Sequence, residues 1–476
     1  MSSIIAAHAL DAGGCRRDIA IEIEGETIAR IHPATAPADD VIVMPAFANA
    51  HDHARPMPPS AVGAFGKPLE LWLNRLAMFT AVDPYLATLA PFARAALGGQ
   101  AAAMVHHTRP MGLTDLPTEA AEIARAAKDV GLRIAFGVAL RDQNPLVYGD
   151  PAPVLADLDP VTRAEIEGRF LGPMKPIAEQ IAVVDAVAER IASPMVDVQY
   201  APNGPQWCSK AMWEALAEAS ARTGRRITTH LFETRYQRAW ADRNFPQGLV
   251  RWLKDIGILS PRLTVAHCVW IRPDELDLLA EAGCTIATNP SSNLMLRSGI
   301  APVADMVRRG CTVAMGLDGQ TFDEDDDALR EARLLWSLQA GWGFDTELTP
   351  AQVLTLALEN GRPALRAPAG GRLAEGAAAD LLIVDRAALE EPPVDEVAPI
   401  ELLFARATRR HVKGLIVAGR TVVRDGRLLG VDLEAAHKEL AAAYRAGLAQ
   451  RSGLRAALPA LEASVARYYG ARLGCC

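Results

Sequence analysis

The sequence predicts an α/β fold: a (β/α)8 TIM-like barrel joined to a small β-sandwich domain built from the N- and C-terminal segments. Three observations predict it. From about Ala95 onward, short β-branched runs alternate with Ala/Leu/Glu/Arg-rich helical stretches, and strands that alternate with helices are parallel with crossovers. Adding the apolar run 41–48 makes eight strands, the number a closed barrel needs. The two ends of the chain instead alternate apolar and polar residues, around Gly25 in 18–31, in 380–385 and in 415–424, as hairpin strands do.

In chain order the barrel strands read as 41–48, 101–107, 132–140, 195–200, 226–230, 263–267, 284–288 and 311–317. Helical periodicity fills the intervals, for example 118–130, 210–223, 273–282 and 301–309. The implied divisions are 1–43 and 366–430 for the two parts of the β domain, 44–365 for the barrel, and 431–476 for a helical extension with Asp432 as candidate N-cap. A doubly wound open sheet is the competing architecture. It brings a Gly-rich phosphate loop after its first strand, and neither GxGxxG nor GxxxxGK[ST] occurs here.

Composition narrows the function classes. Half the residues are hydrophobic and 22% are charged, ordinary for a globular enzyme with a large core. With 49 basic against 57 acidic side chains, a net charge of −8, and no basic block, a nucleic-acid partner is not expected. No run approaches the roughly 18–20 apolar residues of a membrane span. The opening Met1-Ser-Ser-Ile-Ile lacks a basic n-region and a long apolar h-region, so a cytoplasmic protein is expected. The seven cysteines are scattered without CxxC spacing and read as reduced thiols, Cys475 and Cys476 as exposed and inert.

The chemistry concentrates where apolar runs stop. His51-Asp52-His53 follows the first run, and residues two apart on a strand face the same way, so both imidazoles can reach one ion. Thr229-His230-Leu-Phe-Glu233, Val265-Ala-His267-Cys268 and Met315-Gly-Leu-Asp318-Gly319 repeat the arrangement on other strands. Barrel enzymes carry their reacting groups at these C-terminal strand ends. A single buried histidine is usually a hydrogen-bonded core residue, but four strand ends of this kind point to a metal site.

These motifs, together with Met44-Pro45, Asn289-Pro-Ser-Ser-Asn293, Gly371-Arg-Leu-Ala-Glu-Gly376 and Ala379-Asp380-Leu381, resemble the amidohydrolase superfamily, in its cytosine deaminase-like and triazine hydrolase branch. The resemblance covers nearly the whole chain. It implies that His51, His53, His230 and Asp318 hold one divalent metal ion, zinc or alternatively iron. It makes His267 the histidine that contacts the attacking oxygen or the substrate, Asp318 also a proton acceptor, and Glu233 the proton shuttle. Binuclear relatives use a bridging lysine from the third or fourth strand. Leu140-Arg-Asp-Gln-Asn144 and Gln199-Tyr-Ala-Pro-Asn203 offer none, and Lys175 is the one nearby alternative, so a single metal is expected.

The implied activity is that of a metal-dependent aminohydrolase replacing an amino group on a small N-heterocycle (a pyrimidine, purine, pterin or triazine) with a hydroxyl from water activated at the metal. The alternatives are release of an alkylamine or chloride, opening of a cyclic amide, or an inactive binding protein. A homodimer is the implied assembly. No PCxxC, HExxH or GxSxG occurs, so nucleic-acid deaminase, zincin and serine hydrolase readings have no support.

Position in the strand-end loops makes Gln143, Asn203, Trp207, Trp270 and Gln320 the substrate-binding candidates, with Asn144 and Gln206 beside them; amides can read a heterocycle edge and indoles can stack on its face. Arg55, Trp72 and Arg75 are lid candidates. Two segments depart from the family pattern: His106-His107 where relatives carry small residues, and the acidic run 323–327 after Asp318. The histidine pair either shapes the pocket or is bonded at the rim. The acidic run either complements the next helix dipole or recognises a cationic substrate.

Overall fold

The computed structural model describes residues 2–392, 395 and 397–472; Cys475 and Cys476 lie outside the described residues. Eight strands follow one another in parallel: Phe47–Asn49, Gln100–His107, Arg133–Leu140, Val196–Pro202, Ile227–Leu231, Leu263–His267, Thr285–Thr288 and Thr312–Met315. The Ala50 amide donates to the Met315 carbonyl (2.9 Å), joining the last strand to the first and closing the barrel. Crossover helices bury an apolar stripe against it. In Leu116–Val130 that stripe includes Ala120, Ile123, Ala127 and Val130. Asp115 caps this helix by accepting from the Thr118 amide (2.8 Å), and Gly131 ends it at φ +93°.

The run 41–48, expected as one barrel strand, is split. Asp39–Pro45 pairs antiparallel with Leu381–Asp385 and parallel with Ser2–Asp11 in the terminal sheet, and Phe47–Asn49 begins the barrel. Pro45 has no N–H to donate to a ladder; the Ala46 amide still follows the terminal-sheet register to the Asp380 carbonyl (2.9 Å), and the Phe47 amide switches to the Gly99 carbonyl (3.0 Å) just before the second barrel strand. Both halves are buried, so one apolar run covers two strands without a break in pattern.

The terminal sheet has eight strands of mixed direction, hydrogen-bonded in the order Arg427–Leu428, Arg420–Arg424, Val412–Val417, Leu381–Asp385, Asp39–Pro45, Ser2–Asp11, Gly14–Glu24 and Thr27–Pro33. The hairpin about Gly25 is present as expected; the strand Ser2–Asp11 was not anticipated. The sheet folds its two arms together over Ile21, Ile28, Val43, Leu381 and Ile416. At the contact Gly419 (φ +71°) lies so near the Gly25 carbonyl that a Cβ would overlap it.

Asp380 links this sheet to the barrel. Its carboxylate takes Arg362 Nη2 at 2.6 Å and the Ala418 amide at 2.8 Å, and both side chains are buried. Removing one partner of a buried pair strands the other charge, at about 3–5 kcal/mol. Asp380→Ala should therefore destabilise the fold by about that amount in urea unfolding, and a loss below about 1 kcal/mol would show that the pair does not hold the two units together.

The chain ends in two helices, Leu433–Leu448, capped by Asp432 as expected, and Ser452–Arg472. Leu458, Leu461 and Val465 are buried in a cluster with Leu69, Trp72 and Leu76 of the helix Leu69–Leu76, which follows His51-Asp52-His53. Glu462 pairs with Lys67 and Arg75. No helix among the described residues is long and apolar enough to cross a membrane.

Candidate metal centre and active site

Four strand ends converge at one mouth of the barrel. His51 and His53 come from just beyond the first strand, His230 from the fifth, His267 from the sixth and Asp318 from just beyond the eighth. His51, His230 and His267 form one set whose ligand atoms all lie within 4.8 Å of one another, and His51, His53 and Asp318 form another. Sharp local backbone places them: His267 has φ +74° and Asp318 φ +44°, conformations uncommon for side chains other than glycine and concentrated at functional sites. Gly316 lets the eighth strand reach this point, since a Cβ there would overlap Asn289 Oδ1 and crowd His51.

Hydrogen bonds fix which ring nitrogens are free. A carbonyl only accepts, so His53 Nδ1–H donates to the His106 carbonyl (2.8 Å) and His230 Nδ1–H to the Asn203 carbonyl (2.6 Å). Their Nε2 lone pairs then face each other 3.3 Å apart. Asp318 Oδ1, a third acceptor, lies 3.2 Å from His53 Nε2 and 3.7 Å from His51 Nε2. His267 Nδ1 donates to Asn293 Oδ1 (2.9 Å), leaving its Nε2 without a protein partner; both ring nitrogens of His51 are likewise unpartnered and buried. Burial lowers the affinity of His51 and His230 for a proton far below the usual histidine range. Neutral imidazoles and a carboxylate converging without a proton to share have the chemistry of a cation cradle.

Two carboxylates in this site are driven apart. Burial works against the Asp318 charge, but the adjacent Arg55 guanidinium favours it, and Asp318 is held well below the usual carboxylate range. Ser292 donates to Asp318 Oδ2 (2.6 Å), and Arg55, stacked 4.8 Å over Trp72, reaches both its side chain and its carbonyl. Burial, with the nearby charges of Asp318 and Glu70, pushes Glu233 well above that range. Glu233 Oε2 lies 3.7 Å from His267 Nε2, and its Oε1 is buried with no partner. Arg238, a conceivable structural partner, pairs with Asp242 and Glu275 instead, and Arg235 bonds Tyr236.

The site opens into a cavity of about 330 Å3, lined by His53, His230, Glu233, His267 and Asp318 at its floor. Asn203 and Trp207 line it, as do Arg55 and Trp72; Asn203 Oδ1 and Trp207 Nε1 are buried without a protein partner. Gln143, Gln320 and Trp270 lie outside the lining. Gln143 is exposed, Gln320 is buried, and Trp270 is held by the Ser298 carbonyl at 2.7 Å. Asn144 folds back on its own loop, accepting from the Leu146 amide, and Arg75 pairs with Glu462.

His106 stacks behind His53 and reaches the Ala201 carbonyl (3.1 Å), while His107 bonds Glu119 (2.8 Å). Neither lines this cavity. The acidic run meets arginines rather than the cavity: Asp327 caps Ala328–Gln339, Arg94 takes Asp326, and Arg330 takes Asp323. Lys175 is exposed and paired with Glu179 (2.7 Å), and among the described residues no lysine lines the cavity. The contacts of Arg55, Ser292 and Asn293 were not foreseen, although the last two stand in the Asn289–Asn293 motif.

The sequence profile of the amidohydrolase family matches residues 42–422. The chain belongs to the amidohydrolase family. This amidohydrolase is 30% identical over 422 residues to a 5-methylthioadenosine/S-adenosylhomocysteine deaminase of Pyrococcus abyssi, covering 87% of this chain and 91% of that one. Its fold is shared with an adenosine deaminase of Xanthomonas campestris with bound zinc (TM-score 0.74, 22% identity, 94% of this chain and 98% of that one). It is shared equally with an atrazine chlorohydrolase of Arthrobacter aurescens complexed with zinc and atraton (TM-score 0.76, 20% identity, 93% and 100%). Family and relatives identify a hydrolase acting on carbon–nitrogen bonds other than peptide bonds.

Proposed function

We propose that this amidohydrolase is a deaminase that holds one divalent ion, zinc, on His51, His53, His230 and Asp318, and releases ammonia from a 6-aminopurine nucleoside-type substrate. The observation that carries the reading is a pair of carboxylates at one histidine cluster, Asp318 3.2 Å from His53 Nε2 and Glu233 3.7 Å from His267 Nε2, whose surroundings shift their proton affinities in opposite directions, Asp318 down and Glu233 up. Pairs of titratable groups pushed apart by their surroundings mark acid and base roles. A divalent ion bound there supplies Lewis acidity that makes water a nucleophile at neutral pH.

The protein's own groups account for the proton movements. Asp318 accepts a proton from the attacking water, oriented by Ser292 and Arg55 so that Oδ1 faces the histidines. Glu233 donates its proton to the ring nitrogen beside the amino-bearing carbon; the proton taken up by Asp318 then passes to the amine as the C–N bond breaks and ammonia leaves, and the new hydroxyl gives its proton back to Glu233 as it becomes the ring carbonyl. His267, with Nδ1–H tied to Asn293, offers its free Nε2 to the attacking water. The cavity falls in the size range of small-ligand sites. Trp72 and Trp207 give the wall aromatic character suited to a flat ring, and Asn203 Oδ1 offers a polar edge contact. The purine preference is supported by the name of the Pyrococcus relative.

Ammonia, alkylamine and chloride release from zinc-loaded protein would test this across adenosine-type nucleosides, aminopyrimidines, pterins and chlorotriazines. The expected result is ammonia, with kcat/KM for an aminopurine nucleoside at least about tenfold above the other rings, the scale set by a few pocket contacts. Chloride or alkylamine as the sole product would place the chain among the other hydrolases of this scaffold. No ammonia from any ring at any metal loading would overturn the deaminase reading.

A further inference from the structure

A second cavity of about 210 Å3 joins the first, sharing His53, Arg55, Thr108, Arg109 and Arg169 in its walls. Three arginines from separate parts of the chain meet there. Arg109 follows the second barrel strand, Arg169 stands at the end of the inserted helix Pro160–Phe170, and Arg451 joins the two C-terminal helices. Among the described residues no carboxylate lines this cavity, and none of the three arginines has an ion-pair partner. Arg169 donates only to the Ala77 carbonyl (3.0 Å). By contrast Arg75 is matched with Glu462, Arg94 with Asp326 and Arg467 with Asp157.

Two further polar groups are left open. Tyr444, also in the cavity wall, is 3% exposed and its hydroxyl has no hydrogen-bond partner; Arg451 Nε is buried and equally unpartnered. Burial and the repulsion of Arg169 and Arg451 push the Arg109 guanidinium down to about 10, so it still carries its charge at neutral pH. The three arginines are half-buried, and holding like charges side by side with little water and no counter-ion is unfavourable. The planar guanidinium fork matches a carboxylate or phosphate bidentately, which would offset that penalty.

We propose that this side cavity is an anion site: Arg109, Arg169 and Arg451, with the Tyr444 hydroxyl, hold a carboxylate or phosphate carried by the heterocyclic substrate whose ring lies in the metal-site cavity. The C-terminal extension is thereby part of substrate recognition, through Tyr444 and Arg451. The inference rests on the deaminase reading for the identity of the ring, but not for the presence of the anion site.

Matched probes separate these claims. Ammonia release would be followed with adenosine, adenosine 5′-monophosphate and adenosine-5′-carboxylate, using wild type, Arg451→Met, Arg451→Lys and Tyr444→Phe. One anion-bearing probe should show a KM at least about tenfold below that of adenosine, the phosphate and carboxylate arms telling which anion fits. Arg451→Met should reduce that preference at least about tenfold, acting on KM more than kcat, and Arg451→Lys should restore part of it. Equal KM values for the neutral and charged probes in the wild type, or an equal loss for both in Arg451→Met, would overturn the proposal. So would inorganic phosphate that alters kcat for adenosine without competing with the charged probes, because that is a free effector. Calorimetric titration with inorganic phosphate and with acetate reads the site without turnover. If no probe yields ammonia yet one anion binds wild type and not Arg451→Met, the deaminase reading fails and the anion site stands. If neither anion binds, the site itself is refuted.

Discussion

Glu233→Gln lowers turnover by about 10²–10⁴-fold, the usual contribution of a positioned general acid, or about 3–5 kcal/mol in the barrier, while metal content stays at the wild-type level. The substitution keeps the side chain's size and its place. Glu233 is 3% exposed, its backbone amide is held by Gln237 (2.7 Å), and the following Thr234 caps the helix Arg235–Asn244. What is removed is the ability to give up a proton at a position where burial and the Asp318 and Glu70 charges favour the acid form. Metal content by elemental analysis, beside single-substrate kinetics, distinguishes the roles. Metal loss as large as that of a histidine variant would make Glu233 a ligand rather than a proton shuttle.

His230→Ala fails at the earlier step. Its ring stands centrally among the histidines, stacked 5.3 Å from His53 and 5.6 Å from His267, with Nε2 pointing at His53 Nε2. Removing a direct ligand should exceed the roughly 10–100-fold loss of metal affinity typical of outer-shell substitutions, and activity should fall with the metal. Protein purified from metal-replete medium is expected to carry less than about a tenth of an equivalent. A variant that keeps a full equivalent and normal turnover would remove His230 from the ligand set.

Much of this architecture was legible because local pattern and global position agree. Every barrel strand is a short buried run ending where polarity begins, and Asp432 announces the start of the C-terminal helix by residue type alone. That the run 41–48 forms two strands was not legible, since a strand of the terminal sheet and a strand of the barrel are both buried and carry the same apolar signal. Ser2–Asp11 escaped notice although it pairs along Gly14–Glu24 for most of its length, because its run of alanines carries little β signal. In the site, residues attached to strand ends were readable as chemistry. Arg55, which reaches across to Asp318, acts through a tertiary contact spanning 263 positions of sequence, and no local pattern reports that. Trp270 shows the converse: it follows a strand-end histidine, yet its indole is claimed by the Ser298 carbonyl and stays outside the cavity.

The arginine cluster belongs to the same class of hidden feature. Arg109, Arg169 and Arg451 are unremarkable one at a time, each within a polar segment. Their meaning comes from convergence on one cavity without a carboxylate.

Metal titration of the stripped protein addresses the central claim of a single catalytic ion most directly. After removal of bound metal by a chelator, activity should be lost, and should return linearly on addition of zinc to a plateau at one equivalent per chain. A plateau at two equivalents, or full activity in the metal-free protein, would contradict a mononuclear site formed by His51, His53, His230 and Asp318.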